Sequence, residues 1–311
     1  MNGLALTDLA WATAQWCLYV TLAPLVSGSL AWLEARLQGR RGPAPTQPYR
    51  DLRKLLRTRP AVPVQATAIF RLAPAVVFTC ALLLGAALPP LHPGAGAMDL
   101  LLALGVIGLA RFALTLAAFD AGSPVAVMSS GRQWFLHVLV EPTLVIAIYF
   151  SATRSILVAR AGGGESARSP LTALVIGAVG LALLAETGRL PFDTHGSRLE
   201  LTMIEEGPGL DYGGRGLALL RWAEAMRLTF ALSLVALLTA GGLGAGAGAG
   251  PAISIGAFLL TMAALLLGLA GFELRQVRVR PRSALTLLTS AAGIVVFSLV
   301  ALVVASASGR R

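Results

Sequence analysis

The run LLALGVIGLARFALTLAAF, residues 101–119, contains a single charged residue, Arg111. As a helix it would rise about 28 Å at 1.5 Å per residue, close to the ~30 Å hydrocarbon thickness of a bilayer. Comparable apolar runs recur along the chain, near 9–33, 68–89, 98–119, 133–153, 169–188, 216–240, 251–271 and 283–306. Only 13% of the 311 residues are charged and 56% are hydrophobic, whereas a soluble domain carries roughly a quarter charged residues. Alternating ten-residue segments of the outer-membrane barrel kind are missing. These features predict an all-α integral membrane protein, a single polytopic domain over 1–311 with about eight transmembrane helices. Turn-forming stretches separate the runs: LPPLHPGAGA, DAGSP, ARAGGGESARSP, GGLGAGAGAG and RVRPRS. The glycine-rich stretch 241–250 lacks the Lys and Ser/Thr of a phosphate-binding loop and reads as a connection. The first run has no basic stretch or small-residue cleavage site around it, so it is expected to stay as a helix.

Charge orients the spans. Loops 34–67, 120–132, 189–215 and 273–282 hold most of the basic residues, and the opposite set holds Arg154, Arg160, Arg168, Arg310 and Arg311. Cytoplasmic loops are the positive ones, so both termini are expected on the extracytoplasmic side of a cytoplasmic (inner) membrane. The stretch 34–67 is then a basic cytoplasmic loop and 186–215 an acidic one. The net charge of +10 is accounted for by this asymmetry and gives no reason to expect nucleic acid. Cys17 and Cys80 lie singly in apolar runs and form no ligand pattern.

Several charges fall where a bilayer should exclude them. The run Leu171–Ala185 is too short to cross alone, so the span has to take in Glu186, Thr187 and Arg189. An ionised carboxylate at membrane depth costs several kcal/mol unless it is paired or lines a wet cavity. Either a cavity holds Glu186, or it snorkels at a helix end with Arg189. Arg111 is deep in its run, with Asp120 at the end. Glu141 is in mid-span, His137 is one turn before it on the same face, and Pro142 follows. Their spacing suits a proton-accepting pair with an Arg partner or a structural ion pair, and is a poor case for a metal. Arg221, Glu224 and Arg227 follow in LLRWAEAMRL. Buried carboxylates have raised pKa values and exchange protons near neutral pH. The residues alone therefore indicate a proton-handling or charge-coupled membrane site.

Four stretches carry a resemblance. AETGRLPFD (185–193), EARLQGRRGPAPTQPYRDLRKLL (34–56, with R-x-x-x-R-x-G-P inside), LARFALTLAAFDAGSPVAVMSSGRQWFLHVLVEP (109–142) and SRLELTMIEEGPGLDYGGRGLALLRWAEAMRL (197–228) closely resemble the membrane subunit that complex I (subunit 1, or H) shares with membrane-bound [NiFe]-hydrogenases. The LELTMIEE run and DAGSP are most similar to the formate hydrogenlyase and group 4 hydrogenase branch. Two positions depart from the family pattern: Gly188 stands where complex I members carry Asn, and DYGG (211–214) stands for E-Y-S-G.

The resemblance implies a subunit that anchors a soluble redox arm and couples electron transfer to proton or Na+ movement. No cofactor is expected on this chain. The [NiFe] centre and iron–sulfur clusters would belong to partners, namely hydrogenase-like large and small subunits and iron–sulfur subunits, with antiporter-like membrane subunits alongside. The implied proton-coupling acids are Glu141, Glu186, Asp193, Glu200, Glu205, Glu206, Asp211 and Glu224. Arg111, Asp120, Arg132, His137 and Arg189 are supporting charges, and Arg36, Arg40, Arg41, Asp51 and Lys54 form a docking loop. The alternative within the family is the quinone-site subunit of a proton-pumping NADH:quinone oxidoreductase. A stand-alone transporter would be expected to carry inverted repeats, and no convincing repeat relates the two halves.

Overall fold

The computed structural model describes residues 2–87, 100–160, 170–189, 192, 206–242, 251–275 and 281–308. In them the chain forms α1 (Asn2–Leu37), α2 (Gln47–Arg57), α3 (Ala68–Ala87), α4 (Leu100–Ala121), α5 (Pro124–Arg160), α6 (Pro170–Glu186), α7 (Gly214–Gly242), α8 (Pro251–Arg275) and α9 (Pro281–Ser308), with a 3-10 turn at Gly207–Gly209 before α7. No strand occurs among the described residues. Proline opens α5, α6, α8 and α9, where its fixed φ suits the first turn and its missing N–H is no loss.

Five helices are long and apolar enough to cross a membrane: α1 from Thr13, α3, α4, α8 from Phe258, and α9 over Leu285–Leu302. The chain is thus a multi-pass, all-helical membrane protein. α6 is shorter, and α5 and α7 carry charges within their length, Arg132, Glu141 and Arg154 in one and Arg221, Glu224 and Arg227 in the other.

The organisation differs from expectation in two loops. Within 34–67 the segment Gln47–Arg57 is an amphipathic helix, which buries Leu52 and packs α2 against α7 and α1. The 120–132 segment is mostly helical, because a single turn at Gly122 (φ +68) is enough to redirect the chain before Pro124 starts α5. Pro142 does not interrupt α5.

A large core joins α1, α3, α4, α5, α6, α7 and α9, with Ala23, Leu84, Val140, Ala182, Met226 and Val295 at its centre. A smaller one joins α1, α7 and α8 around Leu30, Leu232 and Ala270. Two interior prolines show how α7 and its lead-in are tied to the other helices. Pro24 lacks the N–H that would bond the Val20 carbonyl, and the Trp222 indole donates to that oxygen at 3.1 Å. Pro74 likewise frees the Phe70 carbonyl, and the Tyr212 hydroxyl donates to it at 2.9 Å. Both sites replace a lost helical bond with a long-range one, so neither of these two carbonyls is left unpaired.

Candidate functional site

Arg111, on α4, is 2% exposed and lies between two acids from other helices. Its Nη1 donates to Glu141 Oε1 on α5 at 2.6 Å. Its Nη2 donates to Glu186 Oε1 and Oε2 at the end of α6, at 2.8 and 2.7 Å. Glu186 is 4% exposed, while 40% of the Glu141 side chain remains exposed. A buried ion pair is stable only when its geometry and remaining bonds are good, and the two-oxygen contact meets that condition for Glu186.

His137 joins the cluster from α5. Its Nδ1 faces the Gln133 carbonyl at 2.7 Å, and Nε2 lies 3.1 Å from Glu186 Oε2, at ion-pair distance but off the line of a good hydrogen bond. A carbonyl can only accept, so the Nδ1 position carries hydrogen. A neutral ring would then turn the lone pair of Nε2 towards a carboxylate oxygen. The two side chains form a buried contact at ion-pair distance.

The C-terminus of α6 explains where Glu186 sits. Gly188 has φ +61, Arg189 N donates to Leu184 O at 2.9 Å, and Gly188 N donates to Ala185 O at 3.3 Å. This is a left-handed helix cap that Gly and Asn both accommodate, so Gly in place of the family's Asn leaves the local geometry intact. The cap turns Arg189 away from Glu186. Its Nη1 lies 3.4 Å from Glu34 on α1 and 3.5 Å from Glu273 on α8. The snorkelling pair Glu186–Arg189 is therefore absent, and Arg189 ties three elements together instead. The His137–Glu141 pairing is also replaced, because α6 brings Glu186 to the ring and Glu141 turns to Arg111.

A second group lies at the start of α7. Arg221 Nη1 donates to Glu206 and Glu224, both at 3.2 Å. Arg221, Glu224 and Arg227 wall two cavities at once. One, of about 300 Å³, is bounded by Pro24 and Ser27 of α1, Asp51 and Leu52 of α2, and Thr187 and Arg189. The other, of about 170 Å³, reaches Glu206, Tyr212 and Leu114. Arg227 is close enough to act electrostatically on Glu186. The charges thus run from the larger cavity through Arg227 to Glu186, Arg111 and Glu141.

Other expected residues stand apart from this chain. Asp120 accepts from Thr67 N and Oγ1, each at 2.7 Å, and from Phe70 N at 3.1 Å. It caps the N-terminus of α3 and is not a supporting charge of the cluster. Arg132 is half-buried on α5. Asp211 has a buried Oδ2 without a partner among the described residues, and the Asp211 and Asp120 carboxylates add to burial in pushing the neighbouring Tyr212 phenol up. Arg36, Arg40, Arg41, Asp51 and Lys54 are exposed, Arg36 stacks over Trp32, and Gln47 donates to Asp51. Asp193, Glu200 and Glu205 lie outside the described residues. Sequence reading missed Glu34 and Glu273, whose only signal is an acid at the end of an apolar run. Among the described residues no group of His, Cys, Asp or Glu is arranged to hold a metal ion.

The chain matches the family model for NADH dehydrogenase over residues 13–306. It is 35% identical over 234 residues to hydrogenase-4 component C of Escherichia coli (strain K12), covering 72% of this chain and 73% of that protein. It is 32% identical over 222 residues to formate hydrogenlyase subunit 4 of the same organism, covering 68% and 71%. NADH-quinone oxidoreductase subunit 8 of Rhodothermus marinus is 27% identical over 261 residues, covering 75% and 74%. A chain of the membrane-bound sulfane sulfur reductase, an archaeal respiratory membrane complex, shares the fold with a TM-score of 0.77, 20% identity, and coverage of 95% of this chain and 99% of that one.

Proposed function

The chain belongs to the NADH dehydrogenase family, and from that premise we propose that it is the membrane anchor and coupling subunit of a hydrogenase-4- or formate hydrogenlyase-like complex. In this role it docks a soluble redox arm and links electron transfer to proton or Na+ movement through its buried carboxylates. The identities of 35% and 32% to the two hydrogenase-type subunits, against 27% to the quinone-type one, favour this branch. Eight helices, α1 and α3 to α9, cross the cytoplasmic membrane, both termini are outside, and α2 lies at the cytoplasmic face. The [NiFe] centre and iron–sulfur clusters reside in the hydrogenase-like and iron–sulfur partners, and this chain binds none. Reporter fusions at Thr46 and Gly246 are expected on opposite sides; the same side for both would refute this topology.

One observation carries the coupling role: Arg111 bonds an enclosed acid, Glu186, and a half-exposed one, Glu141, at the same time. A change of charge near the cavity beside Arg189 and Arg227 alters the hold of Arg111 on Glu186. It thereby alters the charge that Glu141 faces, and Glu141 opens towards the surface where antiporter-like subunits would sit. His137 supplies a proton-holding position inside this chain, and Arg221 with Glu206 and Glu224 orders the cytoplasmic end. In the intact complex, Glu186→Gln should leave assembly and subunit composition unchanged while abolishing turnover-driven ion movement in inverted vesicles. Unchanged ion movement at unchanged turnover would refute the role.

A second reading, the quinone-site subunit of an NADH:quinone oxidoreductase, rests on the cavity of about 300 Å³ between α1, α2 and α7. The neighbouring reading frames discriminate. A large subunit with two C-x-x-C motifs accompanies the hydrogenase branch, and a catalytic subunit without them accompanies the quinone branch.

A further inference from the structure

A groove of about 440 Å³ lies away from the charge chain, between the segment after α2, the start of α3 and the start of α7, with Pro60, Val62, Arg71, Tyr212 and Arg215 in its lining. Its walls are built, not incidental. Gly214, at φ +55, comes so near the chain after α2 that a Cβ there would stand 2.3 Å from the Arg59 carbonyl oxygen. Arg215 Nε donates to Leu56 O at 3.3 Å across the same seam. The floor is the Phe70–Tyr212 stack, with ring centroids 4.0 Å apart and planes 3° from parallel.

The groove is cationic above and apolar below. No acid is in its lining, and among the described residues neither Arg71 nor Arg215 forms an ion pair. Asp120 lies close to Tyr212 but spends both oxygens on the N-terminus of α3. Arg71 is in the first turn of a membrane-crossing helix. One turn further along each helix the lining is apolar, Pro74 and Ala75 following Arg71 on α3 and Leu219 following Arg215 on α7.

Two guanidiniums at the end of a span, above an apolar lining, complement an anionic amphiphile. Arginine matches phosphate oxygens in a planar fork, and basic pockets between transmembrane helices on the cytoplasmic side bind anionic lipid headgroups. We propose that this groove holds one anionic phospholipid, its phosphate between Arg71 and Arg215 and an acyl chain along Ala75 and Leu219. The lipid would act as a wedge between α3 and α7, the two elements that Tyr212 joins.

The test uses the intact complex, stripped of lipid in detergent and reloaded with dioleoyl-phosphatidylglycerol or dioleoyl-phosphatidylcholine, with bound lipid counted by native mass spectrometry. Phosphatidylglycerol should bind preferentially, and the double substitution Arg71→Gln/Arg215→Gln should weaken it roughly 10- to 30-fold. The control pair Arg50→Gln/Arg53→Gln, which removes the same charge from exposed positions on α2, should leave it unchanged, and excess inorganic phosphate should not displace the lipid. Equal binding of the two lipids, equal loss in the control pair, or displacement by phosphate alone would overturn the proposal. An independent arm places a photoreactive residue at Val62 of the otherwise native chain. Cross-links to lipid support the site, and cross-links to a neighbouring subunit overturn it. The lipid comparison and the photo-cross-link read the native groove, so neither depends on the double variant assembling.

Discussion

The cluster around Arg111 predicts a specific inequality among variants. Arg111 bonds both carboxylates, Glu141 and Glu186, with the His137 ring beside the second. Replacing Glu186 by Gln leaves Arg111 paired with Glu141, and the new amide can donate to His137 Nε2. Replacing Glu141 by Gln leaves Arg111 with its two-oxygen contact to Glu186. Neither change strands a charge, so each should cost about 1 kcal/mol, the worth of a lost hydrogen bond. Arg111→Gln leaves two carboxylates facing a site that Arg111 filled at 2% exposure, and the double Glu141→Gln/Glu186→Gln leaves the guanidinium alone. Each of these should cost about 3–5 kcal/mol, as does removing one side of a buried pair. Thermal melts of the purified complex, with native gels to report assembly, measure the series. A double variant no worse than the sum of its singles, or an Arg111→Gln variant as stable as either single, would show that the three side chains do not share one charge balance.

Three further outcomes follow from local geometry. Gly188→Ala should destabilise the α6 terminus by about 1–2 kcal/mol, because its φ of +61 suits Ala poorly, while Gly188→Asn should be nearly silent; hydrogen exchange at Thr187 and Arg189 reads both. Trp222→Phe should cost about 1–3 kcal/mol by orphaning the Val20 carbonyl, seen as a lower melting temperature. Asp120→Ala should cost about 0.5–2 kcal/mol through loss of the α3 cap, with ion coupling unaltered per assembled complex.

The helices were legible because bilayer thickness imposes a run length, and runs of that length are visible in composition alone. The unusual charges were legible for the converse reason, since Arg111, Glu141 and Glu186 each violate the same apolar background. Their partners were not. Spacing along one helix suggested His137 with Glu141, and adjacency suggested Glu186 with Arg189. The observed pairs join α4, α5 and α6, and that choice depends on how helices pack, which no spacing records. Asp120 misled for a related reason: a carboxylate near a span end serves as a charge or as a cap, and only the position of Thr67 distinguishes them. Helix α2 hid in a loop because its apolar positions are few and its length is below any membrane threshold.

Glu141 makes the subunit a poor solitary resident of the membrane. Arg111 holds one oxygen of its carboxylate, but two-fifths of the side chain is left uncovered in mid-helix, and charge facing lipid is costly, up to about 3 kcal/mol for an unpaired group on insertion scales. Contact with a neighbouring membrane protein removes that penalty, so the newly made chain has a built-in preference for being joined early. A copy that finds no neighbour keeps that burden. The carboxylate that would pass protons outward would then also favour assembly over solitary residence.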